Sequence, residues 1–275
     1  MMIKKYVLSI LRYAFLFFGL LLVVLPMLFI FVSSFKTSTE LYGSPWALPT
    51  SWDFSPYIKL FTNYGFGWAF LNSAYYSIVG CLLTVVLITP CAYAITRMRW
   101  KLNKLVLGFI MLGIMIPIHA IVIPLYITVS RVRISDQVML LLIYVATSIP
   151  TSLFIMAGFM ETIPSELEEA AVLDGSSIPQ AFLRIICPLV MPSLATITIL
   201  NFNGIWNDYM LALIFLSGGR QQTVQLAVTN FDSSRATNYP MLLSAIIVVL
   251  VPSIVVCCIM TDKLTAGITA GAVKG

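Results

Sequence analysis

Charged residues are scarce in this chain, and histidine is almost absent. Of its 275 residues, 60% are hydrophobic, 10% are charged and 1 is histidine, and the mean hydropathy is +0.97. Soluble domains carry about 25% charged residues, so this composition excludes an ordinary soluble domain and predicts an integral membrane protein. The net charge of +5 comes without any basic-aromatic array, so we expect no nucleic-acid binding.

The sequence also lacks the elements of common catalytic sites. It contains no G-x-x-x-x-G-K-[ST] phosphate loop, so the chain is not expected to bind ATP in the usual way. His119 has no sequence neighbours with which to form a metal cluster or a Ser-His-Asp set. The 5 cysteines lie in or beside apolar runs and are expected to pack as small apolar side chains. We therefore predict no catalytic residue, metal ligand or cofactor on this chain, and no enzymatic activity.

Long apolar runs dominate what is present. A transmembrane helix needs about 20 mostly apolar residues, and six runs of this kind predict an all-α membrane protein with six transmembrane helices. The runs are Tyr13–Val32, Leu71–Ile95, Leu105–Val129, Val138–Phe159, Leu189–Leu216 and Met241–Met260. The first run is too long for the apolar core of a signal peptide, so it should be retained. Because no charged linker or repeat divides the chain, we predict one domain at 1–275 with its core at 69–262.

Basic residues near the ends of these runs predict the orientation of the chain. Lysine and arginine favour the cytoplasmic side of a membrane. Here they precede the first run, fill the loop between the second and third, and follow the sixth; they are Lys4, Lys5, Arg12, Arg97, Arg99, Lys101, Lys104, Lys263 and Lys274. Arg131 and Arg133 favour the opposite orientation but are outnumbered. We expect both termini, and the loop at 160–187 with them, in the cytoplasm.

The loop at 160–187 is the only stretch crowded with acidic residues. Ser165 and Glu168 have the spacing of a capping box, in which each side chain accepts from the backbone of the other residue. The glutamates that follow Ser165 also suit the positive end of a helix dipole. Gly175 can adopt the left-handed conformation that ends a helix. The pattern therefore predicts a short helix from Glu166 to Asp174.

Two further features of this loop bear on its surroundings. Ala170 and Ala171 share a face of the predicted helix, and such small side chains let another backbone approach closely. Ser177 and Gln180 repeat the capping-box spacing, which predicts a second short helix.

The loop resembles the Glu-Ala-Ala loop of permease subunits of ATP-binding-cassette (ABC) importers. The residues that match the family's spaced pattern are Glu169, Ala170, Ala171, Asp174, Gly175, Ile185 and Pro188. Cys187 stands where leucine is usual, which is an apolar exchange. Softer matches indicate the carbohydrate-uptake branch, similar to the maltose-type permeases; they include Ser34-Phe35-Lys36, Pro45-Trp46, Trp206-Asn207 and Leu264-Thr265-Ala266-Gly267. The resemblance covers nearly the whole chain.

The resemblance implies a bacterial inner-membrane location and a set of partners. The expected partners are a second homologous permease, two ATPase subunits and an extracellular solute-binding protein, besides the membrane lipid. ATP and Mg would bind the ATPase subunits, and a coupling helix between spans four and five would dock on one of them. The residues expected at that contact are Glu168, Glu169, Ala170, Ala171, Leu173, Asp174 and Gly175.

The fifth apolar run is unusually polar for a membrane span. A carboxylate at mid-bilayer costs about 2.5–3.5 kcal/mol on insertion scales, so Asp208 should face the bundle interior or water. Amides and a carboxylate can hydrogen-bond sugar hydroxyls, and aromatic faces can stack on sugar rings. We therefore expect a substrate pathway bordered by Asn203, Trp206, Asn207 and Asp208. Hydrogen bonding between helices is the alternative role for the same residues.

Other functions fit the sequence less well but stay open at this point. An ion-coupled carrier that works alone could use Asp208 and His119 as its ionisable pair, although it would leave the capped acidic loop unexplained. An intramembrane enzyme would need a nucleophile and base or a metal site, which a single histidine cannot supply. An ABC importer permease could also take another cargo, such as a glycerol phosphate or a peptide.

Overall fold

The computed structural model describes residues 2–98, 100–216, 219–231 and 238–272, and these residues form helices, turns and loops without a strand. Contacts between residues divide the chain into two compact units, Met1–Gly67 with Ala227–Val251, and Trp68–Leu226 with Pro252–Gly275. Each unit is described below by itself. The organisation as one domain stays a prediction.

The first unit begins with one long apolar helix followed by a folded loop. Its helices are α1 (Met2–Ser33), α2 (Ser38–Gly43) and α3 (Ser55–Asn63). The chain between α1 and α3 is ordered by the ring of Phe35, whose centroid lies 5.0–5.3 Å from those of Trp52, Phe54 and Tyr57. Rings at such distances attract one another in edge-on and tilted arrangements. The loop between α1 and α3 is therefore held together by contacts between aromatic rings.

A capping box fixes the start of α2. The Glu40 carboxylate accepts a hydrogen bond from the Thr37 backbone N–H at 2.9 Å and from the Thr50 N–H at 2.9 Å. Hydrogen bonds from the Thr50 hydroxyl and then from these backbone groups lower the pKa of Glu40 to about 2, because they favour the charged form. Glu40 thereby joins the first turn of α2 to the chain ten residues further on.

The second unit contains most of the helices. They are α4 (Phe66–Arg97, which begins at the unit boundary), α5 (Asn103–Met115), α6 (Ile118–Val129), α7 (Asp136–Met160), α8 (Glu166–Leu173), α9 (Ile178–Ala181), α10 (Cys187–Leu189), α11 (Met191–Trp206), α12 (Met210–Phe215) and α13 (Val224–Val228). A π-helical turn at Phe182–Ile186 joins α9 to α10. The last helix, α14 (Tyr239–Ala272), crosses from the first unit into the second.

Two of the predicted spans are broken in the structure. The span expected at Leu105–Val129 consists of α5 and α6, which meet at 101°. The physical reason is Pro117, which has no N–H to donate and holds Ile116 in an extended conformation with ψ of 109°. The span expected at Leu189–Leu216 follows a bend of 68° at Val190 and breaks again between α11 and α12. Within the described part of the chain, 4 helices are long and apolar enough to cross a membrane, or up to 6 if each bent pair is one span.

Helix α7 lies at the centre of the second unit. It contributes to two apolar clusters. One surrounds Tyr144 and includes residues of α4, α6, α11 and α12, and the other surrounds Met156 and includes residues of α4, α5, α11 and the π-helical turn. Its contact with α5 is close, because a Cβ atom at Gly113 would lie only 2.7 Å from Cγ of Pro150. Gly113 is therefore required by packing.

This contact predicts the effect of enlarging Gly113. We expect Gly113→Ala to destabilise the protein by about 1–3 kcal/mol, the usual range for overpacking, because the proline ring cannot rotate away. Gly108→Ala in the same helix is the matched control, since no atom lies within 4 Å of a Cβ at that position. Thermal unfolding of both purified variants measures the difference. Equal melting temperatures would contradict the close α5–α7 contact.

Candidate functional site

Helix α8 ends as the sequence predicts. Gly175 has a φ of +89°, in the left-handed region that favours glycine. The Ser176 N–H donates to the Ala171 carbonyl at 2.9 Å and the Gly175 N–H donates to the Val172 carbonyl at 3.0 Å. These two bonds define a Schellman motif, which satisfies carbonyls that the helix end leaves free. The prediction of a left-handed end at Gly175 is confirmed.

The start of α8 differs from the prediction. Ser165 has helical dihedral angles, with φ of −67° and ψ of −23°, and its side chain forms no capping hydrogen bond. The expected capping box with Glu168 is therefore wrong, because the Glu168 carboxylate turns toward α4 instead. The second predicted box is confirmed: the Ser177 N–H donates to the Gln180 side-chain oxygen at 2.9 Å, and α9 follows.

The Arg97 side chain joins the ends of three helices. Its Nη2 donates to the carbonyl oxygens of Met160, at 2.7 Å, and of Ile163, just beyond the end of α7. Its Nε lies 3.2 Å from Oε1 of Glu168 in α8. That approach lacks hydrogen-bond geometry for both atoms, so the attraction is coulombic. Oε2 of the same carboxylate accepts a hydrogen bond from the Tyr93 hydroxyl at 2.9 Å.

This set of contacts, the Arg97 junction, is shielded from water. The side chains of Arg97 and Glu168 are 13% and 14% exposed. Breaking such a buried pair is costly, because the remaining charge loses its partner. The cation also lies against carbonyls at the end of α7, where the helix dipole favours positive charge. The junction therefore fixes the position of α8 relative to α4 and α7.

The outer face of α8 is exposed and partly apolar. Leu173 is 88% exposed and Val172 is 51% exposed, and both border a groove of about 670 Å³ beside α8 and α9. Glu169, Ala170, Asp174 and Gly175 are exposed as well. Ala171, which was expected to face a partner, is buried within this chain at 8% exposure, because it lies on the inner face of α8. Glu168 is likewise engaged in the Arg97 junction.

The polar residues of the fifth span lie at a break between helices. Helix α11 ends at Trp206 and α12 begins at Met210. The Asp208 carboxylate accepts from the Ala212 N–H at 3.0 Å and from the Tyr144 hydroxyl at 2.8 Å. It thus satisfies a free N–H in the first turn of α12 and ties that helix to α7. These contacts explain how a carboxylate is accommodated here.

The structure separates the four expected pathway residues into different roles. Asn207 is exposed; its amide donates to the Asn203 carbonyl at 2.9 Å and accepts from the Gln225 side chain at 3.1 Å. Asn203 is half-buried and donates to the Ile199 carbonyl at 3.2 Å. Sequence reasoning missed Tyr144 and Gln225, although a polar side chain within or beside an apolar run is a signal that could have found them.

Trp206 does not fit the expected role of stacking on a substrate. It is 1% exposed, and its ring stacks on Phe202 with centroids 5.7 Å apart and meets Phe70 edge-on at 5.3 Å. The aromatic residues of α4 and α11 therefore occupy the faces that a sugar ring would need. The apolar area of the indole is thus covered in this conformation, and the place of Trp206 on the substrate pathway stays a prediction.

Comparison with known proteins identifies the class of this chain. Residues 85–262 match the family described as binding-protein-dependent transport system inner membrane component. This range contains the Arg97 junction, α8 and the broken fifth span. The chain belongs to that family, and it is a multi-pass component of a bacterial inner membrane. The predicted resemblance to ABC importer permeases is confirmed.

Individual relatives extend over almost the whole chain. The trehalose transport system permease protein SugB of Mycobacterium tuberculosis (strain CDC 1551 / Oshkosh) is 34% identical over 255 residues, which cover 91% of this chain and 92% of the relative. The melibiose/raffinose/stachyose import permease protein MelC of Bacillus subtilis (strain 168) is 30% identical over 253 residues, with 91% of each chain covered. These relatives are transport permeases and not enzymes.

A solved structure has the same fold. A chain of a bacterial ABC transporter involved in the import of the acidic polysaccharide alginate superposes with a TM-score of 0.81 and 21% identity. The match covers 94% of this chain and 97% of that one. The all-helical permease architecture predicted from the sequence is therefore confirmed.

The contacts of Asp208 predict its effect on stability. Asp208→Ala removes the acceptor for the first turn of α12, a loss that costs about 0.5–2 kcal/mol for helix caps, and it leaves the Tyr144 hydroxyl without that partner. We expect a lower melting temperature of the purified protein. Arg131→Ala, which removes an exposed side chain from the loop after α6, is the control and should change stability by about 0.5 kcal/mol or less. If the two variants melt alike, Asp208 does not hold the break together.

Proposed function

We propose that this chain is one permease subunit of an ATP-driven bacterial importer for sugars or oligosaccharides. Family membership supports the permease role. The cargo is inferred from the relatives, whose names specify trehalose and melibiose, raffinose and stachyose. The observation that carries the proposal is α8 itself: a short, rigidly ended helix with an exposed apolar tip, fixed by the Arg97 junction to the membrane helices. A mobile polar connection would have neither property.

The proposal includes the partners that the chain needs. A second homologous permease completes the pathway, two ATPase subunits supply ATP hydrolysis with Mg, and an extracellular solute-binding protein delivers the cargo. A related alginate transporter was solved in complex with a periplasmic protein bound to an alginate pentasaccharide, which supports this type of assembly. We further propose six spans, with each bent helix pair crossing once, and both termini in the cytoplasm.

The exposed tip of α8 is the proposed contact with an ATPase subunit. Leu173 and Val172 offer apolar area, and burying a leucine side chain contributes about 1.5–3 kcal/mol. Glu169 and Asp174 lie beside them with free charge for basic groups on the partner. Ala171 packs on the inner side of α8, and Glu168, which lines the same groove as Leu173, holds α8 in place through Arg97. This division revises the set of docking side chains that the sequence suggested.

The Arg97 junction would transmit motion from the ATPase to the membrane helices. When the ATPases close on ATP, a force on α8 reaches the ends of α4 and α7 through the Glu168 carboxylate and the Met160 carbonyl. The transporter then shifts between two packings of its helices. Because the contacts are buried, they do not yield before the helices move.

The proposed pathway follows the break in the fifth span. Asn207 and its partner Gln225 present amide groups at this break, and amides can exchange hydrogen bonds with sugar hydroxyls. Asn203 supports the Asn207 side chain through its carbonyl. Asp208 and Trp206 have structural roles in the proposal, since one caps α12 and the other packs among aromatic rings.

A specific contact argues against the ion-coupled alternative. In that mechanism Asp208 and His119 would form an ionisable pair. Instead, Nδ1 of His119 lies 3.0 Å from the Met210 sulfur, and Asp208 is bonded to Tyr144 and to backbone N–H groups. Other cargoes, such as a glycerol phosphate or a peptide, remain a second candidate for the same importer architecture.

The proposed function predicts ATP-driven sugar uptake by the assembled transporter. The chain is tagged in the cells that make it, and the complex that co-purifies is reconstituted in liposomes with its solute-binding protein. We expect uptake of radiolabelled disaccharides that requires ATP and the ATPase subunits.

Leu173→Ser should weaken ATPase association about tenfold or more, because the buried apolar area of the leucine is lost. Leu183→Ser, also an exposed leucine of the 160–187 loop at 63% exposure, is the control.

The separate arms of this experiment test separate claims. Uptake of a glycerol phosphate or a peptide in place of sugars would overturn the cargo but not the importer class. Uptake by this chain alone under an ion gradient would overturn the class. Equal ATPase association of the Leu173→Ser and Leu183→Ser variants would remove α8 as the docking contact.

The Arg97 junction predicts a different defect, which is uncoupling. Arg97→Ala leaves Glu168 without its cation and removes the guanidinium donor from the Met160 and Ile163 carbonyls. We therefore expect ATP hydrolysis to continue while uptake per ATP falls about tenfold or more, as for a broken buried pair worth several kcal/mol. Arg97→Lys should rescue uptake only partly, since an ammonium lacks the guanidinium fork. Arg184→Ala, an exposed arginine of the same loop, is the control. Unchanged uptake per ATP in Arg97→Ala contradicts the proposed transmission.

A further inference from the structure

A pocket in the first unit combines apolar walls with unsatisfied polar groups. It has a volume of about 470 Å³ and lies between the last turns of α1 and the chain at 45–48. Leu25, Phe29 and Leu48 line its sides, and Trp46 packs on Phe29 with ring centroids 4.9 Å apart. Lys36 and Ser33 lie at its wall. The transport function described above uses none of these residues.

The Lys36 ammonium is buried with too few partners. The side chain is 2% exposed, and its Nζ donates one hydrogen bond, to the Pro45 carbonyl at 2.7 Å. No carboxylate among the described residues forms an ion pair with it. An ammonium has three N–H donors, and a buried charge without a counter-charge is costly. The site therefore calls for an anionic acceptor.

Ser33 supplies an independent observation at the same place. It is fully buried, and its hydroxyl has no hydrogen-bond partner among the residues that the structure describes. A buried hydroxyl without a partner costs about 1–3 kcal/mol, so its presence beside Lys36 indicates a missing ligand group. The ligand must offer oxygen acceptors to both residues and an apolar portion to the rest of the pocket.

We propose that this pocket binds an anionic phospholipid of the membrane, with its phosphate at Lys36 and Ser33 and an acyl chain along Leu25 and Phe29. The surroundings suit such an occupant: an 18-residue apolar window of α1 has no buried residue, so the helix is open to lipid. Trp46, 86% exposed at the rim, is the residue type that membrane interfaces favour.

The test measures lipid binding to the assembled transporter. After delipidation in detergent, the complex is mixed with dioleoyl phosphatidylglycerol, with dioleoyl phosphatidylcholine or with inorganic phosphate, and bound lipid is counted by native mass spectrometry. We expect one site that prefers phosphatidylglycerol. Lys36→Met should weaken that site about fivefold or more, the effect of one lysine near an anionic headgroup, and leave phosphatidylcholine binding unchanged. Lys59→Met, which removes an exposed lysine of α3, is the matched control.

A second variant keeps the test valid if Lys36→Met does not fold. Ala47 lines the pocket, so Ala47→Phe fills its apolar part while Lys36 remains, and it should likewise lose phosphatidylglycerol. Equal retention of phosphatidylglycerol by the parent and both pocket variants would overturn the proposal. The proposal would also be overturned if the parent bound phosphatidylglycerol and phosphatidylcholine equally well. It would likewise fail if inorganic phosphate bound without displacing either lipid. Loss of the second permease from Ala47→Phe, with lipid counts unchanged, would assign the pocket to a protein contact instead.

Discussion

The contact on which the loop between α7 and α11 depends is the buried Arg97 guanidinium. A helix end leaves its last carbonyls without partners, and the chain must also turn from α7 into α8. Arg97 donates to the Met160 and Ile163 carbonyls and balances the Glu168 carboxylate, while the Met160 carbonyl also accepts from the Ile163 N–H at 3.2 Å. Arginine suits this place because its planar fork can bind several acceptors at once. The position of α8 follows from this contact.

The broken membrane helices follow the same rule of satisfying polar groups. In a bilayer a free N–H or C=O group is tolerated only where protein or water replaces the lost hydrogen bond. At the break after Trp206, the Asp208 carboxylate accepts from the Ala212 N–H and the Asn207 amide donates to the Asn203 carbonyl, while Gln225 holds the Asn207 side chain. Side chains that form hydrogen bonds at a helix break are held in fixed orientations. Polar groups held in this way can recognise a polar cargo.

Local signals in the sequence predict local structure well here, and distant contacts decide the rest. The end of α8 at Gly175 follows from the residue's own freedom of φ, and the start of α9 follows from a neighbour three residues away. Ser165 fails as a cap because Glu168 finds a cation 71 residues earlier, at Arg97. No spacing rule contains that contact. The packing of Trp206 is likewise absent from any spacing rule, since Phe70 lies on another helix.

The pattern of exposed apolar groups explains why this chain works as a subunit. Leu173 projects from α8 beside charged neighbours. The exposed leucine is unfavourable in water and the charges are unfavourable in lipid, so this surface suits a protein partner. Helix α1 is exposed along its apolar length, which suits lipid or another membrane helix. The two surfaces differ in charge as well as in area. Two kinds of exposed surface therefore call for two kinds of covering, one partly charged at α8 and one wholly apolar along α1.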